Sequence, residues 1–138
     1  MKNFEFRISN YGKRTPALLV GVLLLSDQIV KHLFSGFGRA YCNPAGPWGL
    51  PADNGMLIFL TTAILAVVAY LFWRSREMFF GTAFAFIAAG GVSNLYDRAV
   101  FGCVRDFALI QWFPAFNFAD VFLAIGAGLL LFSLLRKK

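Results

Sequence analysis

The chain has 138 residues, which suits a single domain; 59% are hydrophobic and only 14% charged. That balance is too apolar for a soluble domain of this size and points to a membrane protein. The net charge is +6, but the basic residues are sparse and lack aromatic stacking platforms beside them, so no nucleic-acid partner is expected.

Four apolar stretches follow in chain order. The first starts near Thr15, is uncharged to Ser26, and needs Asp27 to Phe34 to complete a span. It has no small-residue cleavage site and runs straight into Asp27, so it reads as a span and not as a cleaved signal peptide. Residues 35–55 are rich in glycine and proline and read as an irregular loop with room for short extended pieces. Met56 to Trp73 carries no charge, and a tight link at Arg74 to Glu77 predicts an antiparallel hairpin with the next uncharged run, Met78 to Tyr96. Residues 98–114 form a second loop, closed by Phe113-Pro114, with Pro114 expected at or just before a helix start. Val121 to Leu135 is the last run, extended backward by Phe116, Phe118 and Ala119. A bilayer core of about 30 Å takes about 20 helical residues, and lipid offers the backbone no hydrogen-bond partners. The expectation is therefore one all-α integral membrane domain, residues 1–138, with spans at 15–34, 56–73, 78–97 and 117–135. Its outer loop is expected to be short and irregular or partly β. Gly90 and Gly91, and Gly128 with Ala124, are expected to let helices approach closely.

Charge sets the orientation. Lys2, Arg7, Lys13, Arg14, Arg74, Arg76, Arg136, Lys137 and Lys138 gather at one side and make up nine of the 13 basic residues. By the positive-inside rule both termini are cytoplasmic, and the loops at 35–55 and 98–114 face outward. Trp73 at the inner side and Trp112 at the outer fit interfacial anchors. Cys42 and Cys103 both fall in the outer loops; a disulfide and a pair of free thiols remain open there. No Cys/His cluster supports a metal, and none is expected.

Three of the seven acidic residues, Asp27, Asp97 and Asp120, lie within or at the ends of apolar spans, where an ionisable group is costly. Asp97 is about 28 Å along a helix from Met78, and Asp120 about 22 Å before Leu135. Both therefore sit toward the outer face, on consecutive antiparallel helices. Two such carboxylates share a proton, one taking a proton from water while the other donates to the carbonyl under attack. The alternative is structural: Asp97 adjoins Arg98, and Asp120 could cap the last helix or pair with Arg105.

Local sequence weights that choice. Gly90-Gly91-Val92-Ser93-Asn94-Leu95-Tyr96-Asp97-Arg98 resembles the GGxxGNxxDR box of signal peptidase II, also called prolipoprotein or lipoprotein signal peptidase. Gly102-Cys103-Val104-Arg105-Asp106-Phe107 is similar to its GxVxDF, and Phe113-Pro114-Ala115-Phe116-Asn117-Phe118-Ala119-Asp120 to its FPxFNxAD. Asp27-Gln28-Ile29-Val30-Lys31 resembles its DQxxK. The resemblance implies Asp97 and Asp120 as catalytic aspartates, with Asn94, Arg98, Asn117 and Ala119 as neighbours and no cofactor. It implies substrates that are diacylglyceryl-modified prolipoproteins, cut before the modified cysteine at the outer face of the bacterial cytoplasmic membrane. Membrane lipids are the other expected partners, and a monomer the expected state. Two departures stand out. Ser93 replaces a glycine, and the outer loop reads Asn43-Pro44-Ala45-Gly46-Pro47-Trp48-Gly49 where the family has a motif like NxGxxFG. Asn43 and Trp48 align there, and the loop is shorter.

Asp27 and Lys31 lie at i and i+4; they either touch substrate and the polar network or neutralise each other. Asp106 reads as structural. Rival functions are a Ser/Lys hydrolase using Ser35 and Lys31, a small four-helix transporter, and a non-catalytic relative that binds lipidated peptides.

Overall fold

The computed structural model describes residues 2–74 and 78–136. It has four long helices, α1 (Lys2–Gly36), α2 (Asn54–Arg74), α3 (Met78–Phe101) and α4 (Phe118–Arg136), and two short strands, β1 (Tyr41–Asn43) and β2 (Val104–Asp106). The tight link expected at Arg74 to Glu77 falls at 75–77, outside the described residues. So do the side chains of Lys2, Arg7, Lys13, Arg14, Arg76, Arg136, Lys137 and Lys138, on which the orientation was read.

Each helix stops or starts for a local reason. α1 ends in a Schellman motif: Gly38 takes φ 65°, its N–H reaches Ser35 O at 3.0 Å, and Arg39 N–H reaches Phe34 O at 2.8 Å. Glycine suits that left-handed position because it has no Cβ to clash. α2 is capped by Asp53, whose Oδ2 accepts from Met56 N at 3.1 Å. The last helix begins at Phe118, four residues beyond Pro114, so the proline belongs to the loop; the start is set by Asn117.

Three helical segments are long and apolar enough to cross a membrane: Thr15–Gly36, Asn54–Arg74 and Phe118–Leu135. Their outward surfaces are oily. Leu18, Val22, Leu25, Ile29 and Leu33 line one exposed stripe of α1, and Phe59, Leu60, Ile64, Val67 and Leu71 cover α2. Continuous apolar surface of this extent belongs against lipid and not water. α3 was expected as a fourth span at 78–97. At 24 residues it is about 36 Å long, but it is not among the three. Its C-terminal half carries Ser93, Asn94, Asp97 and Arg98, and it packs against α1, α2 and α4, so protein, not lipid, surrounds most of it.

Small side chains make α3 the centre of the bundle. Ala83, Ala85, Ala88 and Ala89 are buried along it. A Cβ on Gly90 would fall onto Ala119 O and come within 2.9 Å of Leu123, and one on Gly91 would meet Leu65 at 2.7 Å. These two contacts match the close approach expected at Gly90 and Gly91. On α4 the close approach is at Gly126, where a Cβ would lie 2.6 Å from Ile87; Gly128 has open space around it. Two residues turn a helix by about 200°, so Gly128 faces away from α3.

The two outer loops meet as an antiparallel pair, with Tyr41 opposite Asp106, Cys42 opposite Arg105 and Asn43 opposite Val104. Cys42 and Cys103 form a disulfide, which settles the choice left open above. A further bridge joins Ala108 to Phe116, and Phe107 packs on Phe34 and Phe118 with ring centroids 5.1 Å apart in both cases. The sheet thus rests on the outer ends of α1 and α4.

Candidate active site

Asn117 and Asp120 form a reciprocal cap at the start of α4. Asp120 N–H donates to Asn117 Oδ1 at 3.0 Å, and Asn117 N–H donates to Asp120 Oδ2 at 3.1 Å. This is the capping-box arrangement with an acidic residue three positions beyond the cap. It fixes the Asp120 carboxylate at the helix mouth. The other oxygen, Oδ1, accepts from Asn94 Nδ2 at 2.9 Å.

Asp97 sits one helical turn beyond Asn94 on α3 and is completely buried. Its Oδ1 accepts from Arg105 Nη2 at 2.8 Å, Arg105 Nε at 3.3 Å and Gln28 Nε2 at 3.1 Å. Its Oδ2 accepts from the Arg105 backbone N–H at 3.0 Å and pairs with Lys31 Nζ at 3.1 Å. The link between the two aspartates runs through α1: Lys31 Nζ also donates to Asn94 Oδ1 at 2.9 Å, and Asn94 in turn holds Asp120. The anticipated pairing of Asp120 with Arg105 is not what forms; Arg105 holds Asp97.

Asp27 and Lys31 pair at 2.8 Å with both side chains fully buried. The two readings of this pair merge, since Lys31 neutralises Asp27 and also contacts Asp97. Asp27 further accepts from Ser93 Oγ at 2.5 Å and Ala119 N–H at 3.0 Å, tying α1 to α3 and α4. Ser93, the departure from glycine, is buried and also accepts from Gln28 Nε2 at 2.7 Å. Its hydroxyl is therefore a working member of the network.

Asn43 enters from the sheet. Its Nδ2 donates to Asp106 Oδ2 at 2.9 Å, and Asn117 Nδ2 donates to Asp106 Oδ1 at 2.7 Å. Asp106 is 1% exposed, and burial pushes its carboxyl up to about 6, with the Asp120 charge adding to the rise and the Asn43 and Asn117 bonds opposing it. Arg98 makes no direct ion pair with a carboxylate among the described residues, though the charges of Asp106, Asp120 and Asp97 act on it. Its Nη2 donates to Ala45 O at 2.7 Å, and it exchanges longer bonds with Asn54. It ties the outer loop to α3, the backbone-carbonyl role that an arginine fork suits.

Asp27, Lys31, Asn94, Asp97, Asn117, Ala119 and Asp120 thus share one network, with Asn43 joined through Asp106. Gln28 and Arg105 were missed as site residues. Gln28 had a signal, lying inside the DQxxK match; Arg105 occupies a variable slot of GxVxDF and was considered only as a partner for Asp120. Ser35 Oγ donates to Lys31 O at 2.7 Å, while the Lys31 amine is held by Asp27, Asp97 and Asn94. Lys31 is thus not available to activate Ser35, which argues against the Ser/Lys hydrolase built on that pair.

Comparison with known proteins gives the family. Residues 19–136 match the family described as Signal peptidase (SPase) II. The lipoprotein signal peptidase of Ectopseudomonas mendocina (strain ymp) is 35% identical over 150 aligned residues, covering 88% of each chain. That of Pseudomonas fluorescens is 30% identical, covering all of this chain and 95% of its own. A bacterial membrane enzyme solved by the in meso method at 2.3 Å resolution superposes with a TM-score of 0.81 at 26% identity, over 88% of both chains. A second such enzyme, at 1.9 Å, gives a TM-score of 0.78 at 26% identity, over 90% of this chain and 94% of its own. With nearly its whole length matched, the chain belongs to the signal peptidase II family of aspartic peptidases.

Proposed function

We propose that this protein removes signal peptides from bacterial prolipoproteins, cutting before a diacylglyceryl-modified cysteine, with Asp97 and Asp120 as the catalytic pair. The observation that carries this is two carboxylates from consecutive helices entering one buried network, joined by Lys31 and Asn94. The ionised member of the pair takes a proton from water as the water oxygen bonds to the scissile carbonyl carbon. The protonated member gives its proton to the carbonyl oxygen. The tetrahedral diol then collapses: the C–N bond breaks, the amine nitrogen takes the proton held by the first carboxyl, and the second carboxylate recovers one from a hydroxyl. No covalent intermediate forms, the water proton leaves on the amine, and both carboxyls return to their starting protonation states.

Asn94 and Asn117 orient Asp120, Lys31 orients Asp97, and Asp27 holds the Ala119 N–H beside them. Arg98 and Asn43 fix the outer loop and the sheet that flank the site. α3 is the fourth span: its polar outer half faces the other helices, so the lipid-facing remainder suffices. Both termini are cytoplasmic, which puts the network at the outer face of the bacterial cytoplasmic membrane, level with the lipid headgroups of its substrate. The enzyme works as a monomer, since the acids and their partners come from one chain. Carboxylates clustered at one end of the bundle favour interfacial chemistry over transport, where polar groups gather near the midplane.

The test is purified protein in lipid with a diacylglyceryl-modified precursor peptide. Asp97→Asn and Asp120→Asn each reduce cleavage by about 10³-fold or more while the protein still inserts and folds. Full cleavage by Asp97→Asn ends the reading.

A further inference from the structure

The loop between β2 and α4 carries a tip that the fold leaves bare. Residues 107–119 hold no charge, and Leu109-Ile110-Gln111-Trp112-Phe113 places four large apolar side chains in five positions. Two reciprocal bonds close the loop at its base: Ala108 N–H donates to Phe116 O at 2.9 Å, and Phe116 N–H donates to Ala108 O at 3.1 Å. Phe113 stands edge-on to Phe116, with centroids 5.6 Å apart, and braces the loop from within. At the tip, Phe113 N–H donates to Ile110 O at 3.1 Å, which makes 110–113 a β-turn.

Trp112 is the third residue of that turn. Among the described residues it is the one non-glycine residue with positive φ, at 73°. Type II turns need this backbone at that position and favour glycine there, because a side chain strains it. Such strain persists where something else compensates it. The fold does not, since Trp112 is 97% exposed. Leu109, Ile110 and Phe113 beside it are each more than half exposed. Turns that stand in water are built from glycine, proline, asparagine, aspartate and serine; this tip has none of them.

What covers the tip follows from where the loop is rooted. Phe107, next to the base, packs on Phe34 and Phe118. Phe34 lies in the last turn of the segment Thr15–Gly36, and Phe118 begins the segment Phe118–Leu135, both long and apolar enough to cross a membrane. The loop therefore leaves the bundle where two spans leave the hydrocarbon. Exposed apolar side chains resume directly on α4 at Phe118 and Val121, in the surface that faces lipid. Tryptophan suits that boundary, with a ring for the acyl region and an N–H for ester and phosphate oxygens. The sequence offered Trp112 as an interfacial anchor; the structure adds the braced loop that carries it and three further side chains at the same tip.

We propose that loop 108–116 is a membrane-dipping finger, with Leu109–Phe113 seated at the headgroup–acyl boundary of the leaflet on the sheet side and bilayer lipid as its partner. The bilayer buries the ring that the strained turn holds outward, and so compensates the strain. Asp106 lies two residues before the base of the finger and Asn117 one residue after it, so the finger anchors the buried polar network at that level. The inference holds whatever reaction the acids catalyse.

The experiment is tryptophan fluorescence of the full chain in phosphatidylethanolamine–phosphatidylglycerol vesicles. Trp48→Phe and Trp73→Phe leave Trp112 as the sole tryptophan. Quenching is compared for lipid brominated near the ester end of its acyl chains, lipid brominated near the methyl end, and acrylamide in the water. The expected result is emission to the blue of free tryptophan, stronger quenching by the shallow bromines than by the deep ones, and weak quenching by acrylamide. Emission like that of free tryptophan, fully open to acrylamide, overturns the proposal, because the tip then stands in water. Shielding from acrylamide without quenching by either brominated lipid also overturns it, since protein then covers the tip, whether a second copy or a bound peptide. Stronger quenching by the deep bromines overturns the interfacial placement. If the double variant does not fold, the difference between wild-type and Trp112→Phe spectra is read in the same way.

Discussion

Lys31→Met removes a cation that touches both Asp27 and Asp97, at 2.8 and 3.1 Å, from a position with no solvent exposure. At these separations and an effective dielectric constant near 20, each contact is worth about 5 kcal/mol before desolvation is counted. Removing the lysine also removes its own cost of burial, so the net loss is about 3–5 kcal/mol, the usual range when one partner of a buried pair is deleted. Asp97 keeps Arg105, so the stranded charge is Asp27. Asp27→Asn should cost less alone, because the amide oxygen still accepts one of the two bonds now made by Ser93 Oγ and Ala119 N–H. In the Asp27→Asn/Lys31→Met double variant no stranded carboxylate remains, and stability recovers to leave a coupling of about 2–3 kcal/mol. The assay is denaturant unfolding of all four proteins in one detergent. Additive losses, within about 0.5 kcal/mol, would show that Asp27 and Lys31 do not neutralise each other and would refute the account of this end of the bundle.

Asn117→Ala removes the cap of α4 together with bonds to Asp106 and Asn94 at 2.7 and 3.2 Å; the loss is about 2–4 kcal/mol in unfolding, and cleavage falls because Asp120 loses its anchor. Gly90→Ala puts a methyl group onto Ala119 O and Leu123, so α3 and α4 must separate beside Asp120; melting temperature and turnover both fall, whereas Gly128→Ala, with open space, changes neither. Asp106, at about 6 in the fold against an ordinary 3.8, binds its proton more tightly folded than unfolded. Stability therefore declines as pH rises from about 4 to about 6 on its account, and Asp106→Asn flattens that part of a stability-against-pH curve.

The chain's oily runs, its four acid-bearing motifs and its helix punctuation were legible because each is local. Three of the expected spans need only an 18- to 22-residue count of apolar side chains. α3 differs in composition for a physical reason: a helix wrapped by three others needs smallness more than oiliness, so alanine, glycine and serine take the places that leucine fills on α2 and α4. The network is harder to read because its bonds join residues far apart in sequence. Ser93 looks like a mild exchange for glycine until its hydroxyl is seen bridging Asp27 and Gln28. Arg105 sits at a position the motif leaves free, and only the pairing of two distant loops turns it toward Asp97. Motifs named the acids, but motifs are blind to the variable positions between them. In this protein one of those positions carries the guanidinium that holds Asp97.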